Sequence, residues 1–388
     1  TVTFKRADKW PEKEAPPWFD VAENKNYYAF LGGGNLYGWF IASRDKTKGA
    51  GITHLTHKKV PLKPILYFPS LNYEHIFSGV EADNHRATFT PRTDPMRFCI
   101  EAPGMARVFW PAQEAAWDMD AEMTYCFEDN DAIDLTFSAV LGKEQFPLGY
   151  AGFMWASYQS NFKDHVIHFP GIADGKEGWM KYGPTIAKEQ FGGTIACQGT
   201  TPLPVENGAS AFNIITDENI FFTAPLYYGL LDLAIPKSRQ QTVLTYAMMF
   251  EECAPIRFAV WNWGNPPEIS AWDWPYLVQD PHPGQKISHR ARMVCAELDA
   301  PEEVSLRYEK WTKTAAKGSV VSSNKGFYPD MPIYWSPATM IFDPLVIGEC
   351  MERYNPDHAV KLYREVLLTL EDVPRTVVRM DTLLSEHY

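Results

Sequence analysis

The chain has 388 residues, 45% hydrophobic and 22% charged, the proportions of a folded globule with a sizeable core rather than of a disordered segment. Thirty-six basic against forty-eight acidic residues leave a formal charge of −12, a field that repels nucleic acid and anionic membranes. No run of about 18 apolar residues occurs, so no membrane-spanning helix is expected.

Residues 1–25 are polar, carry Pro11, Pro16 and Pro17, and read as a surface arm. The opening Thr1-Val2-Thr3-Phe4-Lys5 lacks the pattern of a signal peptide, and the compartment, cytoplasmic or exported after loss of a leader, is left open. From Asn26 to Leu298 the pattern is strand and turn, which predicts one large antiparallel β-sandwich. Strands are expected at Tyr27–Phe30 and Tyr37–Ala42. Between them, Gly32-Gly33-Gly34-Asn35 reads as a tight turn, since no Lys-Ser/Thr follows to make a phosphate loop. Asn72-Tyr73-Glu74-His75-Ile76-Phe77 and the following Asp83-Asn84-His85-Arg86 and Pro91-Arg92 read as loop rich in ionisable groups. A further strand is expected at Arg107–Trp110.

The clearest strand runs from Asp118 to Phe127. Met119, Ala121, Met123, Tyr125 and Phe127 alternate with Asp120, Glu122, Thr124 and Cys126, the period of a half-buried strand. Glu128-Asp129-Asn130-Asp131 then turns the chain into a partner strand through Ile133, Leu135 and Phe137. Strands follow at Tyr150–Tyr158, Val166–Phe169, Gly193–Cys197, Phe212–Thr216, Ile220–Thr223, Thr242–Phe250, Ile256–Trp263 and His289–Cys295. After Leu298 the pattern changes. Residues 299–388 read as an extension with one amphipathic helix near 356–371, opened by Asn355-Pro356 and closed before Pro374.

Thirteen Trp, nineteen Tyr and twenty-three Phe make 14% of the chain aromatic. Several rings have polar neighbours, as in Trp155-Ala156-Ser157-Tyr158 and Trp272-Asp273-Trp274. A flat apolar face beside a hydrogen-bonding group suits a sugar ring. Trp155, Tyr158, Lys163, Arg257, Trp272 and Asp273 are therefore the expected substrate-binding residues. Acid–base work on a sugar carbon needs a base tuned near neutral pH and a group that stabilises developing charge. His75 is the expected base or acid, Glu74 its orienting partner and Arg92 the electrostatic clamp. His168 from the Ser157–Phe169 cluster and Glu251 from Glu251-Glu252 complete the catalytic candidates. Glu251 is the expected partner of Glu74 or Asp273 in a two-carboxylate arrangement, or else neutralises Arg257.

The motifs call for no cofactor. A divalent metal gathered from distant histidines is the alternative, with its ligands unknown. His54/His57 and His165/His168 have odd spacing, which points extended pairs to opposite faces. The six cysteines show no CxxC pairing and read as buried free thiols.

About 270 residues of serial strands, rich in rings and ending in Ala254-Pro255-Ile256-Arg257-Phe258-Ala259-Val260-Trp261-Asn262-Trp263, resemble the galactose-mutarotase-like supersandwich superfamily. That group includes sugar epimerases, polysaccharide lyases and accessory domains of glycoside hydrolases. The resemblance covers about residues 26–298 and implies a fold and a substrate class, without assigning a catalytic position. The expectation is a carbohydrate-active enzyme using general acid–base chemistry as epimerase, lyase or glycoside hydrolase. Its partner is a small-molecule or oligosaccharide substrate, not nucleic acid or membrane, and the oligomeric state is open. Two alternatives stand beside it, a non-catalytic glycan-binding protein and a metal-dependent enzyme on a cupin-like barrel.

Overall fold

A computed structural model describes residues 18–60, 64–66, 69–80, 89–102, 104–128, 131–143, 146–160, 162–183, 193–206, 219–233, 242–263, 269–315 and 333–336. The expected strand Phe212–Thr216 and the expected helix near 356–371 lie outside the described residues, as do residues 1–17.

Alternation does what the sequence predicts at Met119–Glu128, where each apolar residue is buried and each polar one is exposed or half-buried. This strand forms a hairpin with Ala132–Leu141, Met119 facing Leu141 and Glu128 facing Ala132. The pair belongs to a layer that runs from Arg97–Ala102 through Met105–Trp110, this hairpin, Lys286–Ala296 and Val243–Phe250 to Leu226–Asp232. A second layer runs from Asn72–Phe77 through Tyr150–Ala156, Ile269–Gln279 and Arg257–Trp263 to Gly193–Cys197. Ile220–Phe222 pairs with Ile167–Ala173 on one side and, in parallel, with Gly193–Cys197 on the other, so hydrogen bonds carry one layer into the next. The described pairings are otherwise antiparallel, and the architecture is the mainly β sandwich expected.

Rings fill the space between the layers. Phe137 lies 5.8 Å from Phe153 and 4.9 Å from Trp155, and Phe250 lies 5.6 Å from Trp274 (centroid distances). Each such side chain withdraws on the order of 150–250 Å² from water, which makes these rings the main source of core stability. Trp155, Trp272 and Trp274 are fully buried, and their indole N–H groups have no hydrogen-bond partner among the described residues. Their work is packing.

A smaller four-stranded sheet consists of Ile333–Ser336, Asn26–Gly33, Leu36–Ser43 and Gly51–His57. Gly34, with φ 58°, makes the expected tight turn of its central hairpin. Phe40 packs on Phe98 and Tyr125 at 5.8 Å each, joining this sheet to the first layer.

Three expectations are corrected, and one element is added. Asn72–Phe77 is a buried strand rather than a loop: every residue in it is covered, so its polar side chains find partners inside the protein. Phe19–Val21 is not part of a surface arm, because Phe19–Asp20 pairs with Arg97–Phe98 and Val21 is buried. Cys197 and Cys253 are joined by a disulfide, while Cys99, Cys126 and Cys295 are free. Finally, the segment after Leu298 opens with a helix at Glu302–Ala315, which buries Val304 and Trp311. The Asp299 backbone N–H donates to the Glu303 carboxylate at 2.7 Å, and Glu302 and Glu303 sit where the helix dipole favours negative charge. No described helix is long and apolar enough to cross a membrane.

His289 sits between the layers against Trp155, Phe250 and Tyr276, with neither ring nitrogen hydrogen-bonded within the described protein. Burial lowers its pKa to about 3. Folding therefore loses stability as pH falls from the unfolded value near 6.5 toward 3, because only the unfolded chain takes the proton readily. His289→Leu is expected to gain about 1 kcal/mol at neutral pH and to flatten this acid limb, as read from urea unfolding at pH 7 and pH 5.

Candidate functional site

The register of Asn72–Phe77 on its neighbour contains one irregularity. His75 faces Met154 and Tyr73 faces Trp155, so Glu74 is an extra residue with no partner of its own, a β-bulge. In a regular strand Glu74 and His75 would point to opposite faces. The bulge re-aims a side chain out of the pleat and brings the two together. Glu74 Oε2 lies 3.3 Å from His75 Nε2.

Arg92 reaches this carboxylate from the short helical turn Thr90–Thr93. Its Nη2 pairs with Glu74 Oε1, its Nε donates to Asn72 Oδ1 at 3.2 Å, and its Nη1 donates to the Lys46 carbonyl at 2.9 Å. Gly49 permits this route. It has φ +69°, and a Cβ there would stand 2.9 Å from Arg92 Cγ.

Tyr158 and Asp273 complete the cluster. The Tyr158 hydroxyl donates to Glu74 Oε1 at 2.9 Å, and Arg92 Nη2 lies 3.5 Å from that hydroxyl. Asp273 sits where the ladder beside Ile269–Gln279 passes from Tyr150–Ala156 to Tyr158–Ser160. Its Oδ1 accepts from the Ser157 backbone N–H at 2.9 Å, in place of a ladder carbonyl. Phe89 borders the group from outside. Its ring is 44% exposed, yet it meets His75 edge-on at 4.1 Å and lies 5.5 Å from the Arg92 guanidinium carbon.

Electrostatics separate the two carboxyls. Burial raises the pKa of Glu74, while the Arg92 charge and the Tyr158 hydroxyl bond pull the other way. Asp273 is pushed well above the usual carboxylate range, first by burial and then by the charge of Glu74. Among the described residues Arg92 pairs directly with Glu74, while Asp273 has the Ser157 backbone N–H as its partner, so the two carboxyls sit in unlike surroundings. His75 is driven well below its ordinary value by burial and by Arg92, and stays neutral. Burial, Glu74 and Asp273 together raise Tyr158. The arrangement offers a buried carboxylate bonded to a fixed cation and a phenol, with a second buried carboxyl close enough to feel its charge.

The structure brings Glu74, His75, Arg92, Tyr158 and Asp273 together and leaves the other expected residues elsewhere. His168 stacks on Tyr228 at 5.0 Å and lies 4.0 Å from Asp164. Glu251 is exposed, 3.9 Å from Arg290, and does not neutralise Arg257. Lys163 is exposed on the surface. Trp155 and Trp272 are interior rings with no face for a sugar; Trp272 is stacked on Phe162 at 3.6 Å. Arg257 is buried beside a separate cavity. Among the described residues no three His, Cys, Asp or Glu side chains converge as metal ligands. His165 Nδ1 instead pairs with Ser270 Oγ at 2.8 Å, and burial lowers His54 to about 4. Sequence reasoning missed Phe89, Asn72 and Ser157. Asn72 and Ser157 lay in polar clusters that the sequence singled out, but drew no role there, and a bulge leaves no composition signal.

No family model and no curated protein matches the chain. Solved structures are similar at low identity. A protein named as a candidate aldose 1-epimerase from Escherichia coli K12 is 9% identical with TM-score 0.40, over 70% of this chain and 100% of that one. The Slr1438 protein of Synechocystis sp. PCC 6803 is 9% identical with TM-score 0.41, over 74% and 99%. A GalM/aldose epimerase homologue from C. elegans is 8% identical with TM-score 0.35, over 74% and 100%. Two of these three structures carry aldose epimerase in their names.

Proposed function

We propose that this protein is a carbohydrate-active enzyme that moves protons on a sugar, as an epimerase or mutarotase, with Glu74 as base and Asp273 as acid. The observation that carries the reading is a pair of buried carboxyls in unlike surroundings, Glu74 paired with the Arg92 guanidinium and Asp273 accepting from the Ser157 backbone N–H. Interconversion of sugar forms needs a proton taken from one oxygen or carbon and another delivered nearby, which such a pair supplies without a nucleophile. Tyr158 lies on Glu74 and orients its lone pairs, His75 adds a neutral imidazole, and Arg92 fixes the carboxylate in place. A sugar meets this group at the border held by Phe89, whose ring supplies an apolar face and must turn aside for the substrate to reach Glu74.

The rate follows the two protonation states. Activity falls as pH drops and Glu74 takes up its proton, and falls again as pH rises and Asp273 loses its own. Glu74→Gln and Asp273→Asn are each expected to slow turnover by roughly 100-fold or more, and Asp273→Asn to lose the alkaline limb. Proton NMR of freshly dissolved α-glucose and α-galactose, followed toward anomeric equilibrium across pH, reads both. Turnover left intact in both variants would reject the assignment.

A second reading rests on an observation of its own: Arg92 spends its donors on Glu74, Asn72 and Lys46, as a purely structural clasp does. The chain is then a non-catalytic glycan binder. Arg92→Met is expected to cost roughly 3 kcal/mol or more, since Glu74 remains buried without its cation. The double variant Arg92→Met/Glu74→Met recovers much of that loss in a double-mutant cycle. Strong coupling in stability, with no sugar turned over by the unmodified chain, decides for the clasp.

A further inference from the structure

The geometry points to a second ligand site, an oxyanion-binding cavity built on Arg257 that shares no residue with the Glu74 cluster. Arg257 opens the strand Arg257–Trp263 and is 2% exposed. Its two hydrogen bonds to the described protein both leave from Nη1, to the carbonyls of Ala254 at 2.8 Å and Ile256 at 2.7 Å. A guanidinium carries five N–H donors, so its Nε and Nη2 edge remains for something else. Arg44, Arg92, Arg97, Arg107, Arg290 and Arg292 each face a carboxylate. Arg257 faces none among the described residues. Glu251 lies by Arg290, and the Glu252 carboxylate accepts from the Tyr276 hydroxyl at 3.3 Å.

Burying a cation without a counter-charge costs several kcal/mol, a penalty that an arriving anion removes. Burial alone lowers the pKa of Arg257 to about 10, and at neutral pH the group stays charged. The space beside it has a volume of about 500 Å³, within the range of small-molecule sites. Lys286 lines the same space and adds a second cation, while Tyr276, Gln285 and Ser288 add neutral hydrogen-bonding groups. Two cations against the single carboxylate of Glu252 favour an anion even in a chain of net charge −12. The mount is rigid. The carbonyls that hold Nη1 belong to the turn after Cys253, and Cys253 is tied to Cys197.

The ligand class follows from the fork of N–H donors. A carboxylate or phosphate oxygen pair accepts two parallel hydrogen bonds from Nε and Nη2, which a neutral sugar hydroxyl does not match. The site therefore takes a small molecule bearing one such oxyanion, either a sugar acid or a phosphate.

Isothermal titration calorimetry of the full chain at fixed ionic strength tests this with three probes: inorganic phosphate, glucuronate and glucose. Binding of phosphate, glucuronate or both is expected, and any heat from glucose, which belongs to the Glu74 cluster, should be unchanged by substitution of Arg257; which anion binds identifies the source of the oxyanion. Arg257→Met should weaken that binding by roughly 10-fold or more, the loss of a charge-assisted pair. Lys286→Met, at an exposed position, should weaken it by a smaller factor and keeps the test valid if the first variant does not fold. Absence of binding by either anion, or affinity unchanged in every folded variant, overturns the proposal. Because Glu74 and Asp273 lie outside the cavity, Glu74→Gln should bind the anion as the unmodified chain does, whatever becomes of its turnover.

Discussion

One buried ion pair, Glu74 with Arg92, holds three separate stretches of the chain in a fixed relation. Arg92 leaves the turn Thr90–Thr93, passes over Gly49, and bonds the strand of Asn72 and Glu74 as well as the carbonyl of Lys46. The desolvation of both charges is a standing cost, offset by the bonds of Arg92 to Asn72 and Lys46 and of Tyr158 to Glu74. The same constraint shapes the acidities around it. Burial raises both carboxyls, and the Arg92 charge opposes that rise most directly at Glu74, with which it pairs. Geometry that stabilises the fold at this point is thus also what separates two otherwise similar carboxyls.

How much of this was legible in the sequence depends on how each segment is buried. Met119–Glu128 has one wet and one dry face, so its alternation could be read directly. Asn72–Phe77 is covered on both faces, and its polar residues pair inside the protein, so the same rule mistook it for a loop. Glu74, His75 and Arg92 were nevertheless found as a group, because acid, imidazole and guanidinium fall close together in the chain. Asp273 was found for another reason, as a polar residue between two tryptophans, and its meeting with Glu74 is a long-range fact that no local pattern contains.

The aromatic content misled in a more instructive way. Rings flanked by polar residues suit a sugar cleft, but Trp155, Trp272 and Trp274 face inward, where two wide layers leave a gap that only large side chains fill. Their polar neighbours point away from them because a strand alternates. The ring that borders the acid–base cluster is Phe89, on which composition placed no emphasis. The helix Glu302–Ala315 was also missed, although its cap and acidic first turn were present in Asp299-Ala300-Pro301-Glu302-Glu303.

Hydrogen bonds run from one layer into the other through Ile167–Ala173, Ile220–Phe222 and Gly193–Cys197, and these strands act as the spine of a closed book. Along that spine the covers cannot part without breaking backbone ladders. The fore-edge is different. There, among the described residues, the strand Asn72–Phe77 ends its layer beside Tyr150–Ala156. The margin that carries Glu74 is closed by side-chain bonds from Arg92 and Tyr158, whereas Arg257 is mounted beside backbone ladders.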